Sequence, residues 1–232
     1  MRGRVLLPLG ALFAASVWCV VLLVLRKVEY GYAEYKGLVL NLALAWIPLG
    51  LAALLVVAYA RRRSRVELAS LGLLWLLFLP NAPYVLTDFI HLGSAHRVFD
   101  SLLIASFAFT SLALGFGSLL LVQLVVTRAA GAASGWLIVV VSLFASSAGI
   151  YLGRVHRISS WDVVGQPGRV WALAAPRLED PLGNRNLIGY VVLLGVFLTL
   201  AYAGLYGFTA LVGAAKREED AVLGSKQQWP SR

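Results

Sequence analysis

Long apolar runs alternate with short polar strings along this chain, and the runs recur at the length that carries a helix across a bilayer. A helix rises about 1.5 Å per residue and hydrocarbon is about 30 Å thick, so about twenty apolar residues make one crossing. Six stretches qualify: Val5 to Leu25, Leu38 to Ala60, Val66 to about Leu92 with an interruption, Ser101 to Val126, Trp136 to Gly153, and Leu187 to Gly213. The pattern predicts an all-α, polytopic integral membrane helix bundle. It forms a single transmembrane domain over residues 1–232 and ends in a polar tail over 214–232. No internal repeat, heptad run or low-complexity tract divides it further.

Composition agrees with a lipid solvent. The chain of 232 residues is 60% hydrophobic and 13% charged, with a mean hydropathy of +0.81. A soluble core of this size has no room for so much apolar surface, whereas a bilayer accepts it on every outward face. The formal charge of +9 does not point to nucleic acid, because the Lys and Arg residues lie almost wholly between the apolar runs. Anionic lipid headgroups and topology signals account for them there. Cys19 is the only cysteine and lies in the first run, which excludes an intrachain disulfide and a thiolate metal site. That first run is long for the apolar part of a cleaved signal peptide and reads as an uncleaved span, with Ala14-Ala15-Ser16 as the one arguable cleavage region.

Six crossings return both termini to one side. Lys and Arg totals are nearly even between the two sides, but Arg61-Arg62-Arg63-Ser64-Arg65 is a dense local retention signal and assigns the termini to the cytoplasm. Spans three and five run in the same direction. Their ends therefore emerge on one face, together with His91, His96 and His156 and most of the acidic residues. Tyr35, Tyr84, Tyr151, Trp161 and Trp171 on that face suit an interfacial belt.

The third run is interrupted near Pro80–Pro83. From Glu67 to Asn81 is about 21 Å of helix, so the break falls inside the hydrocarbon. Pro80 and Pro83 lack amide donors, and Asn81 or Ala82 is placed to cap a second half-helix with Pro83 as its first residue. One reading is a kinked helix whose Asn81 side chain repairs the ladder. The other is a discontinuous helix whose freed amides face a cavity and attract an anionic group.

Beyond the break, Asp88 and His91 are spaced i, i+3 and share a helix face. With His156 and Asp162 they make an oxygen and nitrogen set suited to a divalent metal, with Asp88, His91 and His156 as its core, or to general acid and base work. Mutual ion pairing or pairing with headgroups is the structural alternative. Arg154 and Arg157 suit a phosphate or a lipid headgroup, and Asn81, Tyr84 and Trp161 complete the candidate substrate-binding set. The connection from Arg154 to Leu187 is long, and its Trp, Pro and Gly residues predict a short, partly ordered lid on the interface above Asp88 and His91. Ala145, Gly149 and Gly153 in span five, and Ala203 and Gly207 in span six, are small residues suited to close helix approach. The inner halves of the spans offer little polarity beyond Asn41, Gln123, Ser142 and Ser146, which argues against transport of charged solutes.

The string Leu79-Pro80-Asn81-Ala82-Pro83-Tyr84-Val85-Leu86-Thr87-Asp88-Phe89-Ile90-His91-Leu92, followed by Gly149-Ile150-Tyr151-Leu152-Gly153-Arg154 and Ser160-Trp161-Asp162, resembles the bacterial membrane family catalogued as domain of unknown function 1361 (DUF1361). The resemblance covers most of the chain from the second span onward and leaves out the tail after Gly213. It implies a small multi-pass protein of the bacterial plasma membrane and carries no reaction. No GxxxxGK[ST] loop, HExxH pair or G-x-S-x-G elbow is present. The leading expectation is a membrane-embedded enzyme acting on an envelope lipid or headgroup at the extracytoplasmic face. A small-solute transporter and a non-catalytic membrane partner are the alternatives.

Overall fold

The computed structural model describes residues 2–31, 35–91, 96–156, 165–179 and 184–227. In chain order these form α1 (Arg2–Tyr30), α2 (Lys36–Ala60), α3 (Arg65–Phe78), the short α4 (Asn81–Tyr84), a 3-10 segment (Val85–His91), α5 (Arg97–Ala130), α6 (Ala132–His156), α7 (Pro167–Glu179) and α8 (Arg185–Gln227). Six helical stretches are long and apolar enough to cross a membrane: Leu6–Tyr30, Gly37–Ala60, Arg65–Ile90, Arg97–Ala130, Ala132–Val155 and Arg185–Glu218. They coincide with the six apolar runs, and no strand occurs among the described residues.

Turn chemistry sets the reversals. Ser64 caps α3 by accepting a hydrogen bond from the Glu67 amide at 3.2 Å, an S-x-x-E start that fills an orphan donor. Gly131, at φ +90°, reverses the chain between α5 and α6 in a single residue, a conformation that side chains with a Cβ rarely adopt.

Helix α5 is the axis of the bundle. It packs on α2, α6, α1 and α4, while α3 leans on α2 and α8 on α6. Within their most apolar windows, 44% of α5 is buried, against 11% of the first span and 17% of the last. The outer helices therefore present apolar side chains to their surroundings, such as Leu193 on α8 at 75% exposure. Such surface is stable only against hydrocarbon.

Two apolar clusters fill the interior. One joins Leu38, Leu42, Ala82, Val85, Leu103, Ile104 and Phe107. The other joins Trp75, Leu79, Leu119, Val139, Leu143, Leu198 and Tyr202. Single hydrogen bonds cross between the helices: Trp46 Nε1 to Ser16 Oγ, Trp75 Nε1 to Ser118 Oγ, and Tyr202 Oη to Gln123 Oε1. In lipid such bonds join packing as the source of helix association.

The interrupted span is a kinked helix. Leu79 and Pro80 keep right-handed helical dihedrals, and the Leu79 amide still bonds the Trp75 carbonyl at 2.9 Å. The Ala82 amide turns to the Leu79 carbonyl at 3.1 Å instead of continuing the ladder to Phe78. Asn81 Nδ2 then fills the Phe78 carbonyl at 2.9 Å. The expected half-helix led by Pro83 does not form. Pro80 holds the cap position and Pro83 stands third in α4, where an amide has no intrahelical partner in any case.

Glycines make room for this kink. A Cβ on Gly115 of α5 would lie 2.6 Å from Ala82 Cβ, and one on Gly149 of α6 would lie 3.2 Å from Pro80 Cγ. Gly149 was expected to serve close approach, and its neighbour is the proline itself. On the last span the close approach falls at Gly195, facing Phe144 at 3.0 Å, whereas Gly207 has no neighbour within 4 Å.

Among the described residues the connection after α6 carries a 13-residue helix, α7, with Pro167 at its first position and Pro176 inside it. Its Trp171 is 66% exposed. The rest of the expected lid, residues 157–164 and 180–183, lies outside the described residues.

Candidate functional site

At the bundle end opposite the Arg61–Arg65 turn, hereafter the distal end, two ion pairs tie distant parts of the chain together. The first grows from the kink. After Tyr84 the backbone tightens into 3-10 geometry, with about three residues per turn. Thr87 Oγ1 bonds back to the Tyr84 carbonyl at 2.7 Å. Asp88, only 8% exposed, then meets Arg154 from the last turn of α6, with Nη2 to Oδ1 at 2.6 Å. Arg154 also donates from Nε to Thr87 Oγ1 at 2.9 Å, and from Nη2 to the same oxygen. Its guanidinium lies over the Tyr84 ring, 4.6 Å from the centroid. Asp88 Oδ2 is buried and has no hydrogen-bond partner among the described residues.

The second pair closes α1 against α5. Arg26 Nε donates to Asp100 Oδ1 at 2.6 Å and Nη2 to Oδ2 at 3.4 Å, while Tyr35 Oη donates to Oδ2 at 3.2 Å. Arg26 and Asp100 are 9% and 2% exposed. The Arg26 guanidinium lies 5.0 Å from the Tyr30 ring centroid, and that ring packs on His96 at 4.1 Å.

Between the pairs lies a cavity of about 440 Å³ lined by Tyr35, Gly37, Leu38, Asn41, Tyr84, Asp88 and Arg154. Tyr35 belongs both to its wall and to the Arg26–Asp100 cluster. A volume in this range accommodates a headgroup-sized molecule. None of its described lining residues comes from α7.

Of the residues singled out in the sequence, the structure brings together Asp88, Arg154 and Tyr84. Asn81 is turned instead to the repair of the kink. His91 ends the 3-10 segment and His156 ends α6, but their side chains lie outside what the structure describes, as do Arg157, Trp161 and Asp162 altogether. Among the described residues no three of His, Cys, Asp and Glu gather as a metal site would require.

Sequence reasoning missed Tyr35, Asn41, Thr87 and the Arg26–Asp100 pair. Asn41 was placed in the inner half of its span. It lies instead at the distal end, because α2 starts there and Asn41 is only five residues beyond Lys36. Direction of travel was the available signal for Asn41. A lone Arg or Asp at the edge of an apolar run carries no mark of its partner.

Six apolar crossings, outward hydrophobic faces and ionic groups gathered towards the bundle ends define a multi-pass α-helical membrane protein. The family described as a protein of unknown function (DUF1361) matches residues 40–201, and the chain belongs to it. The matched region holds both halves of the Asp88–Arg154 pair and excludes Arg26. No curated protein and no solved structure matches the chain.

Proposed function

We propose that the distal cavity binds the headgroup of an envelope lipid and that the protein is an enzyme acting on it at the extracytoplasmic face of the bacterial plasma membrane. The observation that carries this reading is Asp88: a buried carboxylate on the wall of a cavity, with one oxygen held by Arg154 and the other unfilled among the described residues. Ionisable groups within a membrane are costly, and those that persist there mark function more often than those in soluble cores. In this role Asp88 is the general base that takes a proton from a headgroup hydroxyl, Arg154 orients it, and Asn41 and Tyr84 position the substrate.

His91, His156 and Asp162 complete the reading, either as acid and base partners of Asp88 or, with Asp88, as ligands of a divalent cation. Arg157 and Trp161 belong to the same substrate-binding set, with the arginine as a donor to headgroup oxygens. The cytoplasmic placement of both termini rests on the arginines of the Arg61–Arg65 turn.

The test is reconstitution into bacterial lipid vesicles, with lipid mass spectrometry over time and elemental analysis of the purified protein. The wild type should alter a headgroup class, and Asp88→Ala should slow this by about 100-fold or more, the usual worth of a general base. Identical lipid profiles for wild type, Asp88→Ala and empty vesicles would overturn the enzyme reading. A second reading, small-solute transport, draws on the Ser111, Ser142 and Ser146 hydroxyls, which are buried on α5 and α6 without partners among the described residues. Solute uptake by the same vesicles, lost in a Ser142→Ala/Ser146→Ala double variant, would favour it.

A further inference from the structure

We infer that the distal cavity selects an electrically neutral, hydroxyl-bearing headgroup, of the glycerol or sugar type, over an anionic one. This deepens the proposed headgroup site and rests on it.

Among the described lining residues the charges cancel. Arg154 is the cation and Asp88 the anion, in contact at 2.6 Å. Arg154 is further committed to Thr87 Oγ1 and to the face of Tyr84. A phosphate entering here must compete with Asp88 for the guanidinium, and it brings a second negative charge beside a buried carboxylate oxygen. Like charges at such range repel strongly where water is scarce.

A hydroxyl meets no such opposition. Asp88 Oδ2 lacks a donor among the described residues, and a ligand O–H supplies one in a charge-assisted bond. The Asn41 carboxamide, which both donates and accepts, stands on the same wall. Tyr35, whose hydroxyl donates to Asp100, adds its ring to the wall. Leu38 and Gly37 complete the wall with apolar surface, suited to the carbon skeleton of a polyol or the start of an acyl chain. Several hydroxyl partners around a neutral centre and an apolar flank describe a glycolipid or an acylglycerol better than a phosphatidate.

The experiment uses the full chain in phosphatidylcholine nanodiscs, titrated calorimetrically against empty discs. Octyl β-glucoside and monohexanoylglycerol are the neutral probes, dihexanoylphosphatidic acid the anionic probe, and free glucose the soluble control. The wild type should bind the neutral amphiphiles at least about tenfold more tightly than the phosphatidic acid, and Asn41→Leu should weaken the neutral probes about tenfold, the worth of one such hydrogen bond. Asp88→Asn keeps the shape but leaves Arg154 without its counter-charge, so the preference should reverse towards the phosphatidic acid.

Tighter wild-type binding of phosphatidic acid, weakened by Asn41→Leu, would overturn the neutral preference and leave the headgroup site standing. No wild-type binding of any amphiphile would overturn both. Glucose binding as tightly as octyl β-glucoside would keep the hydroxyl class and overturn a lipid as its source.

Discussion

Two Arg–Asp pairs stand at the same end of this bundle, built from the same two side chains, and they differ in how the carboxylate is filled. Asp100 has both oxygens engaged, by two nitrogens of Arg26 and by Tyr35, and is almost fully buried. Asp88 has one oxygen engaged by Arg154 and the other without a partner among the described residues, on the wall of a cavity. A carboxylate held through both oxygens costs desolvation and returns it as geometry, here the seat of α1 against α5, even though Arg26 Nη1 is buried without a partner among the described residues. A half-filled one holds interaction energy in reserve for something that enters. Identical chemistry thus serves as a clamp in one place and as a candidate site a short distance away, and Tyr35 touches both.

The sharpest way to break this contrast is to remove each carboxylate. Asp100→Ala leaves Arg26 buried and unpaired and should cost about 3–5 kcal/mol of stability, seen as a large loss of thermal stability in nanodiscs. Asp88→Ala should cost distinctly less, because Arg154 keeps Thr87 and the Tyr84 ring. An equal or larger loss at Asp88 would make it the structural pair and remove the distinction.

Next in size is the kink that delivers Asp88. Gly115→Val places carbon where Ala82 stands and should destabilise by about 1–3 kcal/mol, the range for overpacked interiors. It should also disturb the cavity, so that binding of a neutral probe falls further than the stability change explains. Retained binding would mean that the kink does not position Asp88.

Tyr35→Phe tests the link between the pairs. It removes one hydrogen bond from Asp100 and should cost about 0.5–1.5 kcal/mol while weakening ligand binding in the cavity. A purely structural Tyr35 would lower stability and leave affinity unchanged.

The smallest effect is expected away from the distal end. Tyr202→Phe breaks the bond to Gln123 in the second apolar cluster and should cost about 0.6 kcal/mol, the typical worth of such a bond between membrane helices, with no change in the cavity. Altered ligand affinity there would show that the two ends communicate.

Much of the architecture was legible in the residue order. Apolar runs repeat at the thickness of a bilayer, and a helix is the structure that satisfies its own backbone within each run, so six crossings follow from length and composition alone. Their alternating direction brings the ends of spans three and five to one border, and Asp88 and Arg154 indeed meet there. Pro80 and Pro83 announce a disturbed helix by their missing amides, and the pairing of Asn81 with the Phe78 carbonyl is the repair that local chemistry suggested. Residue identity does not encode which partner a charge finds. The union of Arg26 with Asp100, the entry of Asn41 and Tyr35 into the cavity wall, and the oxygen left open on Asp88 all depend on which faces of α1, α2, α5 and α6 turn inward. In lipid, every apolar face is equally comfortable outside, so hydropathy is silent on rotation. Close packing decided it, through Gly115 against Ala82 and Gly149 against Pro80, contacts that exist only once the helices are assembled.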